Sequence, residues 1–163
     1  MRGLSGVDGM VTPSSSRLPI AIENRFPNLW DQNYRVTSDK DKRYNCIAWT
    51  VGVINLRFWP SVQDYRWPTD ISQQETAEAF VQFYARSGYQ VCDSPDLEGG
   101  YEKIAIYCDD KGTPQHAARQ LPSGQWTSKL GELHDIIHND MRGVEIGFGY
   151  GRATIFMRRP RAT

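Results

Sequence analysis

The sequence predicts an α+β domain with N-terminal helices packed on a C-terminal antiparallel sheet, and three observations point to it. The one strong helical pattern, "SQQETAEAFVQFYARSGY", lies in the first half of the chain. The second half is a series of short alternating segments, "YEKIAIYCD", "HAARQL" and "QWTSKLG", separated by the turn formers "DKGTPQ" and "PSG". No strand–helix–strand alternation runs through the chain, which argues against a dinucleotide-binding fold.

Each element follows from local chemistry. Residues 1–19, rich in Gly, Ser and Pro, read as a flexible lead without the apolar core of a secretory signal. A single domain is expected over residues 20–160, which opens with an irregular arm and the polar loop "TSDKDKRYN". From Cys46 the apolar density of Ile47, Trp49, Val53 and Ile54 predicts a short buried helix. Two Trp-Pro pairs then mark a loop, because the residue before proline avoids the helical region. In the long helical pattern, Ser72 and Glu75 form a capping box. Ala77, Phe80, Val81 and Tyr84 share one face, and Gly88 supplies a left-handed stop. "YQVCD" reads as a short strand, "ELHDIIHND" has helical spacing, and "GVEIGFGYG" and "RATIFMRRP" read as a final strand pair.

Composition narrows the function. Lys and Arg together number 19, as do Asp and Glu, so the formal net charge is zero. That balance argues against a nucleic-acid module built on a basic field. The basic end "MRRPRAT" reads as a solvated tail. No apolar run is long enough to span a membrane. The three cysteines, Cys46, Cys92 and Cys108, are widely spaced with no C-x-x-C pair, as expected of free thiols in a reducing compartment. A cytoplasmic location is expected, with signal-independent secretion as the alternative. No cofactor is expected, and the sequence does not speak to oligomeric state.

Two residues carry the chemistry. Cys46, after a polar loop and at the start of a helix, sits where the macrodipole favours a thiolate; the competing reading is a small core residue. His116 follows a turn and opens a strand, where an imidazole serves as general base. A single Cys on a helix and a distant His on a sheet is the sequence shape of a cysteine hydrolase. Ser128, on the next strand, is the candidate orienter of His116, with Thr127 or Gln125 taking the role if the register differs. The backbone N–H of Cys46 is the natural oxyanion donor, and Asn45, Tyr44 or Gln32 could add a side-chain donor. Trp59, Trp67 and Trp126 are candidate groove walls. A rival site is "HDIIH", whose His134 and His138 at i and i+4 would share a helix face as in zinc hydrolases, although Asp135 stands where that chemistry wants Glu.

The segments "FPNL", "YRVTSDKDKRYNCIAW", "FWP", "YEKIAIY", "HAARQL", "WTSKLG", "DIIH" and "GYG", spread from Phe26 to Pro160, resemble an uncharacterised bacterial domain family. That resemblance implies no activity. The order of a helical cysteine, a strand opening with histidine and a polar residue on the next strand is similar to papain-like hydrolases, including bacterial cell-wall endopeptidases and amidases. This second resemblance implies a papain-like fold with Cys46 and His116 as the catalytic pair. Ser128 stands where those enzymes carry His, Asn or Gln. The expected function is a thiol-dependent hydrolase or transferase acting on an amide or isopeptide bond of a peptide or protein substrate. The alternatives are a non-catalytic interaction module on the same fold and the zinc hydrolase.

Overall fold

The structure, a computed structural model, describes residues 13–162. It is α+β: seven strands form one open antiparallel sheet, with three short helices and several 3-10 turns around it. The strands are β1 (Arg35–Ser38), β2 (Gln90–Cys92), β3 (Tyr101–Cys108), β4 (Pro114–Gln120), β5 (Trp126–Lys129), β6 (Asp135–His138) and β7 (Arg152–Pro160). Their order across the sheet is β1-β6-β5-β4-β3-β7-β2. The helices are α1 (Ile20–Glu23), α2 (Cys46–Thr50) and α3 (Ala77–Ala85).

Of the N-terminal lead, residues 1–12 lie outside the described residues. The remainder is tied to β1: the Ser16 carbonyl accepts from Val36 N–H, Ser14 donates to Asp39, and Leu18 is buried.

The two principal helices end as their sequences dictate. In α2, Asn45 caps by accepting from Ala48 N–H at 3.2 Å. Gly52, at φ +78°, stops the helix as Val53 N–H reaches back to the Ala48 carbonyl. In α3, Gly88 at φ +90° does the same, and Tyr89 N–H returns to the Tyr84 carbonyl. The α3 cap is Thr76, which accepts from Ala79 N–H at 3.1 Å, rather than the expected Ser72. Glu75 is drawn away to the indole of Trp59 at 3.0 Å, so the capping box does not close. The buried face moves accordingly to Ala79, Phe80, Phe83 and Tyr84.

Three expectations are corrected. "DIIH" is a strand, not a helix. β-Branched Ile136 and Ile137 suit a pleated surface, and β6 is buried on both faces, so no polar alternation marks it. "GVEIGFGYG" is a pair of 3-10 turns, Met141–Val144 and Gly147–Gly149, and β7 pairs with β3 and β2 instead. Gly151, at φ +72°, lies so close to the Cys108 carbonyl that a Cβ would collide with it. Finally, the arginines of "MRRPRAT" are not a solvated tail. Arg158 pairs with Glu98, and Arg159 and Arg161 pair with Glu102.

Two apolar clusters occupy opposite faces of the sheet. Ile104, Ile106 and Ala117 join Cys46 and the α3 face in one; Ala105, Tyr107 and Ala118 join Phe26, Leu29 and Trp126 in the other. The alternation of β4 therefore sends Ala117 toward α2 and its neighbours on either side toward the opposite face.

Candidate functional site

The ladder between β4 and β5 is short. Only Arg119↔Thr127 and Gln120↔Trp126 pair, and nearer its start β4 has no ladder partner in β5. Side chains span the parting. His116 Nε2 lies 3.1 Å from Ser128 Oγ, a diagonal neighbour on the same face. The register extends to β6, where Trp126 is opposite His138 and Ser128 is opposite Ile136. Ser128 Oγ is 2.8 Å from His138 Nε2, and His138 Nδ1 is 2.7 Å from the Asp140 carbonyl. All three side chains, His116, Ser128 and His138, are fully buried.

His116 is also fixed from above and beside. The Tyr150 ring stacks flat on it, with centroids 4.1 Å apart and planes 6° apart, and Tyr107 meets its edge at 5.0 Å. Burial and the neighbouring His138 hold the His116 imidazole well below its ordinary pKa. His138 is lowered to about 4, chiefly by burial, with the Asp140 carbonyl opposing. Both rings are therefore neutral at pH 7. His116 Nδ1 has no hydrogen-bond partner.

Cys46, the first residue of α2, lies on the other side of β4. Its thiol is pushed up to about 11 by burial, against which the backbone N–H groups of Ala117, Ile47 and Cys46 itself favour the thiolate. The five-residue helix therefore does not yield the resting thiolate expected from the sequence, because desolvation outweighs the N–H groups that face the sulfur. No hydrogen bond joins Cys46 to His116. Cys46 does line a cavity of about 270 Å³ with Asn45, Trp59, Tyr65, Gln115 and Tyr150. One wall of that cavity is thus the same tyrosine that stacks on His116.

The remaining sequence candidates divide. Trp59 lines the cavity, and its ring is held edge-on against Phe80 at 5.0 Å. Trp67 stacks on Phe83 at 4.6 Å and serves α3, while Trp126 is buried in the opposite cluster; neither walls this cavity. Asn45 borders it, but its amide is committed: Oδ1 accepts from Ala48 and Phe58 N–H, and Nδ2 donates to the Phe58 carbonyl. The Tyr44 hydroxyl donates to the buried carboxylate of Asp135, which also accepts from Thr37 and Ser38. Gln32 bonds to Asn139 and Asp140. The side chains of all three, expected as oxyanion donors, are thus engaged with other partners. Thr127 is engaged by Trp49 and Gln125 by Asn139, so of these three candidates Ser128 is the one bonded to His116.

The shared helix face on which the zinc reading was built is absent, because Asp135–His138 is a strand. His134 lies just before β6 and His138 ends it, and His138 is already committed to Ser128 and Asp140. No group of three or more His, Cys, Asp or Glu side chains able to hold a metal occurs among the described residues. The sequence reading missed His138 as a partner of His116, and missed Tyr150. Taking "DIIH" as a strand in register with "WTS" would have placed His138 beside Ser128.

Residues 35–158 match a family described as a domain of unknown function (DUF7689), and the chain belongs to that family. Comparisons with curated proteins and with solved structures find no match. No helix among the described residues is long and apolar enough to cross a membrane.

Proposed function

We propose that the protein is a thiol-dependent hydrolase or transferase acting on an amide or isopeptide bond of a peptide or protein. Cys46 is the nucleophile and His116 the general base. The observation that carries this reading is the shared wall: Tyr150 lines the cavity into which Cys46 opens and stacks on His116. The order of a helical thiol, a strand imidazole and a polar residue on the next strand parallels papain-like hydrolases.

The chemistry starts from a neutral pair. With the thiol raised and the imidazole lowered by burial, a standing thiolate–imidazolium pair is disfavoured, and the proton moves as the sulfur attacks. Cys46 Sγ–H gives its proton to His116 Nδ1 while sulfur adds to the carbonyl carbon. The N–H groups that face the sulfur stabilise the oxyanion. The C–N bond then breaks, His116 returns the proton to the leaving amine, and a thioester remains on Cys46. Water, or a second amine in transfer, takes the acyl group and regenerates the thiol. No hydrogen bond joins the two groups in the empty site, so the proposed transfer requires Cys46 and His116 to approach each other when substrate binds. Catalytic contacts that are loose in an empty site tighten when substrate binds. The walls Trp59, Val62, Tyr65 and Tyr150 suit an apolar or aromatic side chain next to the scissile bond.

The test is trapping with a peptidyl vinyl sulfone bearing an aromatic side chain, at pH 7. Half-buried Cys92 is the internal control for an ordinary thiol. The expected result is an adduct on Cys46 ahead of Cys92, slowed at least tenfold by His116→Ala. Labelling of Cys92 first, with His116→Ala indifferent, sinks the reading. That outcome would favour the alternative, a non-catalytic interaction module, for which the raised Cys46 thiol and its 5% exposure are the specific observations.

A further inference from the structure

We infer that His138 is a positioning residue for His116, acting through Ser128 to fix one tautomer of the base. The inference deepens the Cys46–His116 reading and rests on it for its catalytic meaning, but its structural content stands alone. Proton counting along the chain of contacts gives the assignment. A carbonyl only accepts, so the contact with the Asp140 carbonyl requires His138 to carry its proton on Nδ1. Neutral His138 is then bare at Nε2, and the Ser128 hydroxyl donates to it. The Ser128 oxygen is left to accept, and it accepts from His116 Nε2–H. His116 in turn is bare at Nδ1, the one ring nitrogen in the relay without a partner, and its ring packs against Tyr107 and Tyr150.

Ser128 alone could not do this. A free hydroxyl rotates and donates or accepts equally well, so it would serve either tautomer of His116. The second imidazole removes that freedom by taking the hydroxyl proton, and the Asp140 carbonyl removes it from the second imidazole. A neutral serine thus acquires the polarity of a dedicated acceptor. The relay leaves the Nδ1 lone pair free, and a free imidazole lone pair is what a general base needs.

The experiment is long-range ¹⁵N–¹H correlation on the full chain with ¹⁵N-labelled histidine at pH 7. His116 is expected protonated at Nε2 only and His138 at Nδ1 only. In His138→Phe and in Ser128→Ala, His116 becomes a mixture of tautomers, and vinyl sulfone trapping of Cys46 slows about tenfold. In His138→Gln, whose amide oxygen can accept from Ser128, the single tautomer and the trapping rate are retained, which a purely structural role would not produce. Protonation of wild-type His116 at Nδ1 overturns the inference without any variant, as does a single Nε2–H tautomer persisting in both His138→Phe and Ser128→Ala. If the tautomers follow the relay while trapping of Cys46 ignores His116→Ala, the positioning role stands and the hydrolase reading fails.

Discussion

The two sides of β4 bury ionisable groups in different ways. On the α2 side, Cys46 sits among Ile47, Phe80 and Ala117, and its thiol is raised because apolar surroundings disfavour its charge. On the other side, His116 is equally buried but joined to a relay of hydrogen bonds that ends on a backbone carbonyl. The thiol is kept neutral by packing alone, and the imidazole is kept neutral and also oriented. Burial is cheap to arrange and sets a protonation state; orientation needs partners, and the chain devotes β5 and β6 to supplying them.

The sharpest way to break the packed side is to hollow it. Phe80, on α3, is fully buried against Trp59 and Trp67. Phe80→Ala is expected to cost about 4 kcal/mol, the transfer and cavity loss of a large core ring, and to loosen the Trp59 wall. Urea unfolding checks it; a loss under about 1 kcal/mol would mean that this side collapses to fill the gap.

The relay side is broken by acid. His138 titrates at about 4 in the folded chain against an ordinary 6.5. Between those values the unfolded chain binds a proton that the folded chain refuses. Stability is therefore full above pH 6.5 and is lost as pH falls through 4, by about 3 kcal/mol for this group. His116 contributes in the same direction. The groups facing His138 are the Ser128 hydroxyl and the Asp140 carbonyl, with the Asp140 carboxylate nearby. Urea midpoints at pH 7 and pH 5 should differ, and His138→Gln should reduce the difference. Equal midpoints in the wild type would show that the relay tolerates charge.

The two sides were unequally legible in the sequence. Cys46 on a helix, His116 on a strand and Ser128 on the next follow from capping, alternation and turn residues, all local signals. His138 was hidden because a strand buried on both faces shows no alternation, and the spacing of its two histidines imitates a helix. Tyr150 was hidden because its place over His116 depends on positive φ at Ile146, Phe148, Gly149 and Gly151, a backbone path that no periodicity announces. The neutral state of Cys46 was missed for a different reason: a helix start favours a thiolate, but how far burial opposes it depends on what packs around the sulfur.

Cys46→Ala measures how much the thiol contributes as packing. A core sulfur with no strong hydrogen bond is worth about 1 kcal/mol, so the variant should fold nearly as well as the wild type while losing all trapping at this position. A much larger loss would assign Cys46 a structural task in place of the proposed catalytic one.

The smallest effect is expected at Trp59, on the packed side and beside the Cys46 cavity. Its indole N–H donates to Glu75 at an exposed position, and its ring forms a wall beside Cys46. Trp59→Phe keeps an aromatic ring against Phe80 and removes the donor, which should cost about 0.5 kcal/mol, the lower end for a solvent-facing hydrogen bond. Trapping by the aromatic vinyl sulfone should fall about threefold through weaker binding, since the loss of packing area is small, with no change in its dependence on His116. A change in that dependence would mean that Trp59 also governs how the thiol meets the imidazole, and the packed side would then be orienting its nucleophile after all.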